Sequence, residues 1–123
     1  MRIAVGHSDD PDTQTAVTHA LQQLDAGVGS DRVVALTLYA CRSSDHALMV
    51  ERIRARYPDI PLIGCTTDGE CSSVVCFSED SLVLTAFLSN QVTACSGIGE
   101  RLSEDLEGAV GRAWRSLAAH GTP

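Results

Sequence analysis

The sequence predicts an α/β domain: a mixed sheet with a parallel βαβαβ start, then an antiparallel meander and a C-terminal helix. Three observations carry this. Short apolar runs at Ile3-Ala4-Val5-Gly6, Val33 to Tyr39 and Leu62-Ile63-Gly64-Cys65 are separated by two stretches with helical spacing of apolar residues. Three further runs, at 73–77, 81–88 and 91–96, are joined by Ser78-Glu79-Asp80 and Ser89-Asn90, connections short enough only for antiparallel hairpins. From about Ser103 onward the helical spacing returns.

The elements follow in order. Ile3 to Gly6 reads as the first strand. Asp10-Pro11 predicts an N-cap with proline at the first helical position, for a helix over 11–26. Val17, Ala20, Leu21 and Leu24 form its apolar face, and Gly27 and Gly29 end it. The run Arg32 to Ala40 lacks alternation, which predicts a central strand covered on both faces. Asp45 caps a second helix, 45–57, that buries Met49, Ile53 and Tyr57, and Pro58 terminates it. Pro61 opens the third strand. Two crossovers in succession make the first three strands parallel. The last helix, 103–119, places Leu106, Val110, Ala113, Trp114 and Leu117 on one face, and Gly108 and Gly111 predict close packing against another element. We read 1–123 as a single domain.

Composition narrows the function. Nine basic residues, all arginine, against sixteen acidic ones leave a net charge of −7, which argues against binding to a phosphate backbone. The local exception, Arg52-Ile53-Arg54-Ala55-Arg56, reads as the solvated side of a helix. No apolar run reaches a bilayer-spanning length, and the N-terminus lacks a signal-peptide core, so a cytoplasmic location is expected. The five cysteines, Cys41, Cys65, Cys71, Cys76 and Cys95, form no CxxC pair, so neither a disulfide framework nor a zinc site is expected. Most lie in apolar runs and read as small core residues.

In an open α/β sheet, ligands bind beyond the carboxyl ends of the parallel strands. Three segments converge there: Gly6 to Asp10, Tyr39 to Ser44, and Gly64-Cys65-Thr66-Thr67-Asp68-Gly69-Glu70. The third is the most distinctive stretch of the chain. Its glycines allow sharp turns and close approach, its threonines donate and accept hydrogen bonds, and its carboxylates accept them. It contains neither GxxxxGK[ST] nor GxGxxG, so it is not a phosphate cradle of the usual kind. On spacing alone it also reads as a glycine-punctuated turn before a hairpin. Ser8, Arg42, Cys65, Thr66, Thr67, Asp68 and Glu70 are the candidate ligand-binding residues. Glu70 would hold an amine and Arg42 a carboxylate, or Glu70 braces the turn by accepting backbone N–H bonds.

The stretch Pro61 to Glu70 resembles the signature of the FIST family, written close to GC[ST]TAGE. Gly6-His7-Ser8 with Asp12-Thr13, and Ala94 to Glu100, fall where that family has similar stretches. The resemblance implies an intracellular sensory module, the N-terminal part of a FIST domain, that binds a small ligand such as an amino acid. It implies signalling partners such as a histidine kinase or chemotaxis protein and no catalysis; some members of the family are haem-binding nitric oxide sensors, but no cofactor is expected for this chain. Asp68 stands where the family has alanine, and Cys71 where an apolar residue is common. FIST proteins continue well beyond this length, so the isolated chain is expected to form a homodimer.

Other readings use other residues. A haem-binding gas sensor needs an axial ligand from His7, His19, His46 or His120. A cysteine hydrolase would use Cys41 or Cys65 with His7 as base. An interaction scaffold would need only exposed apolar surface.

Overall fold

The computed structural model describes residues 1–119, which fall into two compact units, 1–92 and from 93 onward. The first unit holds strands β1 (Arg2–Ser8), β2 (Val33–Cys41), β3 (Leu62–Thr67), β4 (Glu70–Ser72), β5 (Cys76–Ser78) and β6 (Leu82–Leu88). Helices α1 (Thr13–Val28) and α2 (His46–Arg56) connect the first three strands. The fold is α/β with a mixed sheet of order β1-β6-β2-β3, in which β2 and β3 are parallel and β6 is antiparallel to β1 and β2. The first three strands therefore run in one direction, as expected, but β6 separates β1 from β2.

That insertion replaces the expected meander. Leu82 to Leu88 is buried at five of its seven positions and intermediate at the others, so an edge position would expose it and a central one does not. Residues 91–96 are not a strand: the Ser89 hydroxyl accepts the Gln91 and Val92 amides at 3.1 and 3.2 Å and turns the chain. The expected 73–77 strand is also displaced. The Ser72 hydroxyl accepts the amides of Val74 and Val75, Cys76 sits at φ 69, and β4 and β5 pair on either side of this turn as a separate two-stranded sheet.

Helix α1 starts later than Asp10-Pro11 predicts. Asp12 is the N-cap, accepting the Thr15 amide at 2.9 Å and its hydroxyl at 2.7 Å, which holds the Asp12 carboxyl below its usual range. Asp10 instead accepts the Asp12 amide. Gly29, at φ 59, caps the other end, while Gly27 remains helical. A Cβ on Gly6 would lie 2.0 Å from the Ala20 carbonyl oxygen, so only glycine lets α1 approach β1 this closely. Asp45 caps α2 by accepting the Leu48 amide at 3.0 Å. Asp25 on α1 ties the two helices by accepting from Arg56 at 2.9 Å and from the Tyr57 hydroxyl, whose pKa burial pushes up to about 12.

Val17, Ala20, Leu24, Met49, Ile53 and Tyr57 form one core with Leu36, Leu38, Leu82 and Leu84 of the sheet. The other sheet face is only partly covered: Ile3, Tyr39 and Ile63 are 57%, 42% and 57% exposed. Strand β2 is thus flanked by strands on both edges but fully covered on one face, contrary to the two-sided burial its unbroken apolar run predicts. The cysteines also depart from expectation. Cys41 is buried, whereas Cys65, Cys71 and Cys76 are exposed because β3 is a sheet edge and the β4–β5 hairpin has little cover, and Cys95 is exposed in an irregular segment.

The second unit is an irregular segment against α3 (Leu106–Ala119). Cβ atoms on Gly97 and Gly99 would lie 2.4 and 1.9 Å from the carbonyl oxygens of Ala113 and Ala109. Close approach therefore depends on the segment's glycines. Gly108 of α3 instead faces its own cap, Asp105, which accepts the Gly108 amide at 2.9 Å. Leu106, Val110 and Trp114 of the predicted apolar face are exposed, while Ala109 is buried.

Candidate functional site

The buried polar side chains among the described residues are His7, Ser8, Glu70 and Ser81, all at one end of the sheet. His7 and Ser8 end β1, Ser81 precedes β6, and Glu70 begins β4. Both Glu70 oxygens are engaged: one accepts from the Thr67 hydroxyl, the other from Ser81. An ionised carboxylate only accepts, so Ser81 donates to it and receives the His7 Nε2–H at 3.0 Å. The other ring nitrogen, Nδ1, then accepts from the Ser72 hydroxyl at 2.7 Å. The network assigns His7 as the neutral Nε2–H tautomer. Burial lowers the His7 pKa, with Glu70 and Asp9 opposing the shift, which agrees with a neutral ring. Gln23 of α1 holds the His7 backbone at both its N–H and C=O, each at 3.0 Å.

Beside this network, beyond the ends of β1 and β2, lies a cavity of about 240 Å³ between the starts of α1 and α2. Ser8, Asp10, Thr13, Ser43, Ser44, Asp80 and Ser81 supply its polar lining. The Asp45 amide donates to the Thr13 hydroxyl at 3.3 Å and links the two helix starts. The Cys41 thiol donates to Asp80 at 3.1 Å, with the Ser43 hydroxyl also 3.1 Å from the sulfur. The cavity therefore combines two acidic side chains, Asp10 and Asp80, with several hydroxyls and two helix N-termini, whose dipoles favour negative charge. Such a surface can receive both ends of a small zwitterion.

The sequence-predicted residues are divided among several places. Ser8 lines this cavity. Cys65 and Thr66 line another, of about 290 Å³, between α2 and the edge strand β3. Thr67 and Glu70 belong to the buried network, with the Glu70 carboxylate turned inward onto hydroxyls. Arg42 and Asp68 are exposed and line neither cavity. Asp80 and Ser81 join the network to the cavity, whereas the sequence places Asp80 only in a connection and Ser81 only at the start of the 81–88 strand. Their cue was indirect: a Ser-Glu-Asp-Ser run directly before the most apolar strand.

Residues of the other readings are equally specific in placement. His46 donates from Nε2 to the Cys41 carbonyl at 2.9 Å, His19 is exposed on α1, and His120 lies outside the described residues. Neither the Cys41 nor the Cys65 thiol hydrogen-bonds a histidine among the described residues. No described helix is long and apolar enough to cross a membrane.

Comparison with known families finds a match to the FIST N domain over residues 34–122, from the start of β2 through the Gly64–Glu70 stretch and beyond. The similar stretch around Gly6-His7-Ser8 and Asp12-Thr13 precedes the matched residues. No curated protein and no solved structure shows a significant match to the chain.

Proposed function

The chain belongs to the FIST family of sensory, signal-transduction domains, and from that premise we propose that it senses a free amino acid in the cavity between the starts of α1 and α2. The observation that carries this reading is the pairing, in one small cavity, of the Asp80 and Asp10 carboxylates with two helix N-termini. The ligand amine would meet Asp80, and the ligand carboxylate would sit toward the helix starts. This assigns the two charges to other groups than Glu70 and Arg42.

Ser81 supports a route for the signal. It lines the cavity and also connects His7 to Glu70, and through Ser72 to the β4–β5 hairpin. A ligand that draws on the Ser81 hydroxyl would loosen that chain. The hairpin carries exposed Val74, Val75 and Phe77, apolar surface on which a cytoplasmic partner such as a histidine kinase or chemotaxis protein could read the change. The single domain reading of 1–123 and a homodimer through the exposed sheet residues Ile3, Tyr39 and Ile63 belong to the same proposal.

One preparation tests it. Sedimentation is expected to give the mass of a dimer, and calorimetry with a panel of free amino acids is expected to show binding. Asp80→Asn should weaken that binding about tenfold, the equivalent of a charge-assisted hydrogen bond. Absence of binding by every amino acid in the panel, or equal binding by the variant, would remove the site.

A further inference from the structure

The cavity between α2 and β3 has a different chemistry. Its lining is mainly aliphatic, with Leu38, Ala40, Val50 and Leu62 around the bare backbone of Gly64. Gly64 cannot carry a side chain there, since its Cβ would lie 1.8 Å from the Leu38 carbonyl oxygen. The cavity therefore lies over a floor that substitution cannot readily fill. At its rim stands Arg54.

Arg54 differs from the arginines that form ion pairs. Arg2, Arg56, Arg101 and Arg112 each meet a carboxylate. Arg54 instead donates from Nη1 to the carbonyls of Ile60 at 3.0 Å and Pro58 at 3.4 Å. Among the described residues no carboxylate lies within ion-pair distance of it. Two carbonyls thus orient the guanidinium without neutralising it, and Nε and Nη2 keep their donors. In a chain of net charge −7, an oriented, unneutralised cation beside an aliphatic cavity is complementary to an amphipathic anion.

We infer that this cavity binds a small carboxylic acid with an apolar body, its carboxylate on Arg54 and its hydrocarbon against Leu38, Val50 and Leu62. The Thr66 hydroxyl, also in the lining, supplies a further donor. The site is separate from the amino-acid cavity and requires no zwitterion, so each stands or falls alone.

The test uses hexanoate as the probe, with hexanamide and hexylamine as matched controls, in calorimetry and NMR titration of the full chain. Hexanoate should bind with a one-to-one stoichiometry and shift the amides of Leu62 to Thr66 and of α2, while hexylamine should not bind. Arg54→Gln should weaken hexanoate about tenfold, Arg54→Lys should recover part of the loss, and Val50→Trp should block the cavity. Circular dichroism confirms that each variant folds. Equal binding of hexanoate and hexanamide, or undiminished binding to folded Arg54→Gln, would overturn the inference. So would a dimer closed through this groove that hexanoate fails to dissociate.

Discussion

Two neighbouring regions at one end of the sheet use the same kinds of residue to opposite effect. In the His7–Ser81–Glu70 network, donors and acceptors are matched to one another away from water. In the adjoining cavity, Ser43, Ser44 and Asp80 surround open space. The difference teaches that residue type does not make a binding group. Glu70 carries the charge a ligand amine would need, yet two hydroxyls already occupy it. Asp80 accepts from one thiol and retains capacity.

The comparison is broken most directly at Glu70. Glu70→Gln turns an acceptor-only group into one with a donor facing a hydroxyl, and should cost about 2 kcal/mol of stability. The urea midpoint should fall both with and without amino acid, and by less with it, since the ligand itself draws on Ser81. A variant of unchanged stability that has lost binding would return Glu70 to the ligand and contradict the division.

A smaller effect is expected from pH. Because burial lowers the folded-state pKa of His7, the native state favours the neutral ring. Its contribution is complete above the ordinary histidine value of 6.5 and is lost as pH falls through the lowered folded value, since the unfolded chain takes up the proton first. Melting temperature should therefore decline as pH falls from 6.5 through the lowered folded value, and His7→Gln should flatten this part of the profile. An identical slope in the variant would remove His7 as its source.

The smallest effect is expected at Arg42, which is exposed and lines neither cavity. Arg42→Ala should change stability by less than about 0.5 kcal/mol and leave amino-acid affinity unaltered. A tenfold loss of affinity would move the carboxylate site away from the helix starts and restore the charge pair suggested by the sequence.

Much of the fold was legible because local physics decides it. Asp45 before a 3.6-residue apolar repeat, Pro58 after it, and the alternation of apolar runs with helical stretches each fixed an element within a few residues. The FIST signature was legible as a continuous string for the same reason. Strand order was not, because connection length constrains which strands can be neighbours and does not decide which strand takes the centre. Burying five of the seven residues of Leu82 to Leu88 decided that, and it is a comparison among all the strands at once. The site divided for a related reason. Successive residues of a strand point to opposite faces, so Thr66 and Thr67, adjacent in sequence, reach a cavity and a buried carboxylate respectively. Sequence alone determined the family, the helices and the polar character of this end of the sheet. Only the tertiary structure decided which polar groups satisfy one another and which face open space, since hydrogen-bond partners such as His7 and Ser81 are brought together across 74 residues by the pairing of β1 with β6.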